Sequence, residues 1–222
     1  MENISQHSMI PLYHITHIRN LLSIIASGGI FCDRLREQGA VENIGIAHKH
    51  IKERRKQRSV CGFMGLHVAA GGTLWDYVPF YFAPRSPMLY TINQGNVEGY
   101  SEGQLPIVYL VTSVGAAASA QRAFAFTDGH AEIGYSQFSD KLEELEGLVD
   151  WGIMESKYWN DTAEQPDRKR KRQAEFLVYE LYPWDLIHKM AVINREKAQE
   201  VEAILGSGSH RPEIIIKPDW YY

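Results

Sequence analysis

Five groups of residues have side chains and spacings suited to chemistry. Glu175 lies inside an apolar run, Ala174-Glu175-Phe176-Leu177-Val178, where a carboxylate is costly to bury unless it is paired or used. On a strand it shares a face with Leu177, Tyr179 and Leu181. The same pattern also fits an edge-strand glutamate reaching solvent. Arg55 ends the run Ile51-Lys52-Glu53-Arg54-Arg55. With Ile44 at zero and about 100° per residue, Ile51 falls near about 340° and Arg55 near about 20°. Arg55 therefore shares the apolar face, with Arg54 to its side. An inward guanidinium needs an anion, and its fork suits a pyrophosphate or a carboxylate, although a stem packed on the core with its head in solvent gives the same spacing.

His14 and Thr16 follow the first apolar run. They could offer a ring N–H and a hydroxyl to a ligand amide or ribose, and a satisfied core histidine is the alternative. The segment DYVPFYFAPRSPMLY (residues 76–90) sets five aromatic residues around Arg85. Alternation turns Phe80 and Phe82 one way and Tyr81 the other. Tyr81 could wall a flat ring, with Arg85 and Met88 at the rim, unless the strand is simply hydrophobic. His130 follows a strand in FTDGHA. The long stretch after it holds Trp159 and the basic run RKRKR, with Arg168, Arg170 and Arg172. Rings interleaved with cations suit single-stranded nucleic acid, bases on the rings and phosphates on the cations.

Strands are predicted at residues 10–14, 30–32, 78–83, 107–112, 124–127, 174–181, 190–193 and 213–217, and helices at 20–27, 43–58 and 195–205. Asp128-Gly129 reads as a turn. Strands dominate without sustained strand–helix alternation, so the fold class is α+β, not a doubly wound parallel sheet. No G-x-G-x-x-G follows a strand, which argues against a Rossmann turn.

The chain has 222 residues, 45% apolar and 23% charged, consistent with one soluble domain over residues 1–222. A net charge of −4 excludes a polycation, yet basic residues cluster at 49–58 and 168–172, opposite an acidic stretch at 140–150. The two cysteines and the histidines show no metal-ligand spacing, so no metal is expected. Without a signal sequence or an apolar run near the roughly 20 residues of a membrane span, a cytoplasmic protein is expected.

The segments LYHITHIRNL, IKERR, DYVPFYFAPRSPMLY, FTDGHA, VDW…YWNDT…PDRKRKRQAEFLVYE and PDWYY together resemble the DarT family, toxins of the DarT–DarG toxin–antitoxin systems. They run from Leu12 to Tyr222. The resemblance implies an ADP-ribosyltransferase fold with a central split β-sheet and flanking helices. It also implies transfer of ADP-ribose from NAD to a base of single-stranded DNA, thymidine first and guanosine second, with reversal by a macrodomain antitoxin.

Carried over by motif, the catalytic glutamate is Glu175 and the catalytic arginine lies in IKERR, where helix geometry selects Arg55. His14 and Thr16 become NAD contacts, beside Tyr81, Arg85 and Met88. The loop that shapes the DNA site spans roughly residues 130–173, with His130, Trp159, Arg168, Arg170 and Arg172 as DNA contacts. Replacing Glu175 by alanine is expected to abolish transfer with the fold intact, and neutralising the three arginines to flatten the salt dependence of DNA binding. A monomer is expected. Transfer to RNA or protein, or non-catalytic single-strand binding, are the competing readings.

Overall fold

The computed structural model describes residues 7–40 and 43–222; residues 1–6 of the expected single domain lie outside them. Ten strands form around a few short helices. They are β1 (Pro11–His17), β2 (Gly29–Phe31), β3 (Tyr77–Tyr81), β4 (Ile107–Ser113), β5 (Phe124–His130), β6 (Phe138–Ser139), β7 (Ala174–Tyr179), β8 (Leu181–Pro183), β9 (Lys189–Val192) and β10 (Glu213–Ile216). The helices used below are α1 (Leu21–Ala26), α2 (Lys49–Gln57), α3 (Pro87–Asn93), α4 (Arg168–Lys171) and α5 (Arg195–Leu205).

Eight strands make one sheet in the order β10-β9-β4-β1-β3-β7-β5-β6, and β2 pairs with β8 in a second. The pairings are antiparallel except β9–β10. Parallel strands need a crossover, and α5 supplies it, capped by Asn194 Oδ1 on the Lys197 N–H and burying Val201 and Leu205.

The sheet divides in the middle. β1 runs beside β4 from Pro11↔Ser113 to His17↔Ile107, and β3 beside β7 from Tyr77↔Tyr179 to Tyr81↔Glu175. Between β1 and β3 only Tyr13↔Tyr81 is in register. Pro79 helps explain the split. An extended residue points its N–H and C=O to the same side, and the Pro79 carbonyl points to β1, where it accepts the His14 Nδ1–H at 2.8 Å. The donor that would face β1 from this position is the one proline lacks. A side chain fills the gap in the ladder.

The β3–β7 pleat separates core from site. Val78, Phe80, Phe176 and Val178 are buried in the main apolar cluster. Tyr77, Pro79, Tyr81 and Glu175 turn to the other face and line a cleft. Burying the core face removes large apolar side chains from water at about 25 cal/mol per Å², which anchors the strand carrying a charged residue behind it.

Three expectations are corrected. The helix expected over residues 43–58 starts at Lys49, because Asn20 holds the Ile44 backbone in an extended segment, accepting its N–H at 2.7 Å and donating to its C=O at 3.0 Å. Asp128-Gly129 is not a turn but part of β5, at a ladder irregularity between Phe126 and His130. A Cβ at Gly129 would lie 2.2 Å from Arg170 Nη1, so a larger residue there would displace that guanidinium from its place over β5. Leu181 leaves β7 for the second sheet, because Glu180 adopts φ +61° and breaks the extended run. Among the described residues no helix is long and apolar enough to cross a membrane, and no group of three His, Cys, Asp or Glu could hold a metal ion.

Candidate active site

Glu175 is 2% exposed, and both its oxygens are held. Oε2 accepts from Arg55 Nη1 at 2.9 Å, and Oε1 accepts the Ala131 N–H at 3.2 Å. Its backbone N–H donates to Thr127 Oγ1 at 2.9 Å, locking β7 to β5. Arg55 is the buried residue of α2. The Ile51–Arg55 spacing of four residues put it inward even though Ile44, the reference for the angle, lies off the helix. Arg55 Nη2 is buried and has no partner. Buried donors are almost always satisfied, so this one marks where a ligand oxygen belongs. Arg54 turns outward and pairs with Glu132.

His14 lies across the split. A carbonyl only accepts, so Nδ1 carries the proton that bonds Pro79, and burial drags the imidazole down to about 4. The ring is neutral near pH 7 and Nε2 presents a lone pair. The ring N–H expected to face a ligand is thus committed to Pro79, and Nε2 is the nitrogen left over. Thr16 Oγ1 accepts from Asn20 Nδ2 at 3.1 Å, which leaves its hydroxyl proton to donate. Tyr81 sits opposite Glu175 with its hydroxyl 3.6 Å from Met88 Sδ. Burial, then the Glu175 charge, pushes its phenol above the usual range, so Tyr81 stays a neutral donor.

The His14 shift has a thermodynamic consequence. A histidine lowered on folding binds fewer protons in the native state than in the unfolded chain between the two values. Its contribution is full above about pH 6.5 and is lost as pH falls toward about 4. Melting temperatures across this window should fall more steeply for the wild type than for His14→Gln. Parallel curves would remove His14 as the cause.

The cleft has a volume of about 360 Å³, within the usual range for small-ligand sites. His14, Thr16, Tyr81, Met88, Arg55, Glu175 and His130 all line it. Arg36, Lys52, Lys169 and Gln173 line it as well, and the sequence reading did not single them out. Burial lowers Arg36 and Lys52, and Arg36 lowers Lys52 further. Arg36 is paired with Asp33, which also lines the cleft, so Lys52 is the cation of the two left to meet a ligand anion. Lys52 was legible, since it precedes Arg55 by three residues and so shares its helix face. Lys169 was hidden inside a run whose other members behave differently. His130 ends β5 at the cleft; burial lowers its imidazole, while Glu175 pulls it back up.

Five expected contacts lie elsewhere. Arg85 has φ +55°, which turns it away from the cleft toward the C-terminal tail. It donates to the Tyr221 carbonyl and lies 4.2 Å over the Tyr222 ring. Trp159 is 7% exposed, and its indole N–H donates to Tyr222 Oη at 2.9 Å, so it offers no stacking surface. Arg168 gathers the preceding loop, donating to the carbonyls of Tyr158 and Asn160 and to Gln165 Oε1. Arg170 is forked between Asp128 and Asp167. Arg172 is 4% exposed, donating to the carbonyls of Pro84, Ile153 and Met154 at 2.6 Å each. These three arginines are committed to oxygens of the protein and lie outside the cleft.

The divided sheet thus carries the glutamate on one half and the histidine bridging from the other, with Arg55 paired to the glutamate. A family profile described as DarT, ssDNA thymidine ADP-ribosyltransferase, matches residues 13–222. A DNA ADP-ribosyl transferase of Thermus sp. (strain 2.9) is 43% identical over 214 residues, 96% of each chain. Solved structures of Thermus sp. 2.9 DarT align at TM-score 0.86 in complex with ADP-ribosylated ssDNA (42% identity, 96% of each chain) and 0.82 in complex with NAD+ (40% identity, 96% of this chain and 98% of that one). A DNA ADP-ribosyl transferase–DNA ADP-ribosyl glycohydrolase fusion protein of Thermosipho africanus is 27% identical over 95% of this chain and 49% of its own length. The chain belongs to the DarT family of DNA ADP-ribosyltransferases.

Proposed function

We propose that this chain transfers ADP-ribose from NAD to a base of single-stranded DNA, thymidine first and guanosine second, with Glu175 as the central carboxylate. The observation that carries this reading is the Glu175–Arg55 pair with the unpartnered Arg55 Nη2, set at the split between β1 and β3. The Thermus relative solved with NAD+ and with ADP-ribosylated ssDNA supports both substrates.

The bond between nicotinamide and ribose breaks through an oxocarbenium-like state, as in glycoside hydrolysis. Glu175 accepts the ribose 2′-hydroxyl and stabilises the developing positive charge. Tyr81 and Met88 wall the nicotinamide, and His14 Nε2 and the Thr16 hydroxyl fix the amide and ribose by one acceptor and one donor. Lys52 holds the diphosphate, which frees Arg55 for a base carbonyl or ribose oxygen. The base nitrogen attacks the ribose carbon as nicotinamide leaves neutral, and the base's own proton must depart. His130, at the cleft with no charge of its own near pH 7, receives it. A single strand is preferred because a duplex base would first have to be extruded.

Lys169 takes the place of the three arginines as the cation that meets the acceptor strand. Each phosphate contact contributes about 0.7 to the salt slope on single strands, so Lys169→Ala should reduce the slope by about that amount. An unchanged slope would move the strand elsewhere. The one-domain chain acts as a monomeric toxin in the cytoplasm, and a macrodomain-type glycohydrolase reverses its mark; the Thermosipho fusion supports such a partner. Labelled NAD offered with separate ssDNA, dsDNA, RNA and protein pools tests the whole reading. Label is expected in ssDNA, and label in RNA or protein alone would replace the acceptor.

A further inference from the structure

The mechanism leaves one buried acid unused. Glu132 lies two residues after His130, its side chain 6% exposed. One oxygen, Oε1, pairs with Arg54, whereas Oε2 is buried with no partner. A buried carboxylate oxygen without a donor is rare enough to require an explanation. The turn that carries it is rigid: His130 C=O accepts the Ile133 N–H at 3.0 Å and Ser136 Oγ at 2.7 Å. Ala131, between the two residues, donates its N–H to Glu175. Consecutive arginines of α2 thus grip two carboxylates, Arg55 taking Glu175 and Arg54 taking Glu132, with the His130 turn between them.

We infer that Glu132 is a positioning residue for His130, its free oxygen accepting a hydrogen bond from the imidazole when that ring takes the proton of the acceptor base. The inference rests on the transfer reading above and deepens it by naming the proton's route. The base N–H gives its proton to an imidazole nitrogen, and the N–H bond's electron pair forms the new bond to the ribose carbon. The bond to nicotinamide breaks with its pair going to nicotinamide. The imidazolium then returns the proton to solvent, with Glu132 bracing the charged ring as the third group of a nucleophile–base–orienter arrangement does.

The charged and titratable groups around His130 are Glu175 from β7, Arg55 and Arg54 from α2, Arg58 just after α2 with its guanidinium donating to the Ala131 carbonyl, and Glu132 from its own turn, with Tyr81, Lys52, Arg36 and Lys169 among those lining the same cleft. Glu175 and Glu132 favour the charged ring, while Arg55 and Arg54 oppose it. Removing Glu132 and removing Arg54 must therefore act in opposite directions, which a general loosening of the turn would not produce.

The experiment is an NMR titration of the His130 imidazole in the whole protein, for the wild type, Glu132→Gln and Arg54→Gln, beside the pH profile of transfer to a single-stranded oligonucleotide. Glu132→Gln should lower the titration midpoint by roughly 1 unit, and Arg54→Gln should raise it. The acid limb of kcat should move with each midpoint. Midpoints that stay fixed, or shift the same way in both variants, overturn the inference and leave the transfer reading in place. Opposite shifts with an unmoved acid limb overturn the proton route alone. Absence of any transfer by the wild type overturns the reading and this inference together. Folding of both variants is checked by their thermal unfolding midpoints and by retention of the remaining NMR signals.

Discussion

Glu175→Gln is expected to lower transfer by about 10³-fold with a smaller loss of stability than Glu175→Ala. The amide keeps the shape of the carboxylate, but its single oxygen can accept from Arg55 or from the Ala131 N–H, not both, and the other donor is left facing the amide NH2. It loses the negative charge that stabilises a positive ribose carbon. Glu175→Ala is a different experiment. It leaves the Arg55 guanidinium buried without its anion, and breaking a buried ion pair from one side costs about 3–5 kcal/mol. The expectation of an intact fold for the alanine variant is therefore replaced: alanine should be inactive and also less stable. Measured by single-turnover transfer and by thermal unfolding, the two variants separate chemistry from scaffold. A glutamine variant that transfers at near the wild-type rate would remove Glu175 from the reaction.

The second large effect is structural. Arg172→Met should destabilise the protein by about 3 kcal/mol or more, because charged donors to buried carbonyls contribute about 1.5–3 kcal/mol each. Pro84, Ile153 and Met154 would lose their shared donor. For a chain of this size the loss corresponds to a fall in melting temperature on the order of 10 °C. The salt slope of DNA binding, measured below the new transition, should not change, in contrast to Lys169→Ala. A stable Arg172→Met protein with a flattened slope would restore the arginine to the DNA surface.

Much of the site was legible because it follows from local spacing. Alternation on one strand sets Glu175 opposite the core-facing Phe176, and a four-residue helical step brings Arg55 inward beside Ile51. Arg55 was reached partly on a wrong premise, since Ile44 belongs to an extended segment fixed by Asn20, a partner 24 residues away. The basic run did not reveal its own partners, for a physical reason. A sequence shows how many cations are adjacent but not what neutralises them: Asp167 adjoins the run, but Asp128 and the carbonyls of residues 153, 154 and 84 come from other parts of the fold. Lys169, the member of that run at the cleft, carries the same letter as Lys171, which is paired with Asp150.

Arg85 and Trp159 were misplaced for the same reason. Both are tied to Tyr221 or Tyr222 at the far end of the chain. The division of the sheet has only one local trace, Pro79, a residue that reads as a break in a central strand unless the neighbouring strand is known to part from it. The tautomer of His14 was also out of reach, because it is fixed by the Pro79 carbonyl across the split. Contacts that close over long sequence separation decided each of these points.

Glu175 is proposed to meet the nicotinamide ribose and direct it to a nucleobase. The most direct test of this role is mass spectrometry of short single-stranded oligonucleotides, one containing a single thymine and one a single guanine, after reaction with NAD and either the wild type or Glu175→Gln. The expected result is an ADP-ribose adduct on the thymine strand with the wild type and none with the variant. An adduct of equal yield with both proteins, or none on any strand with the wild type, would contradict it.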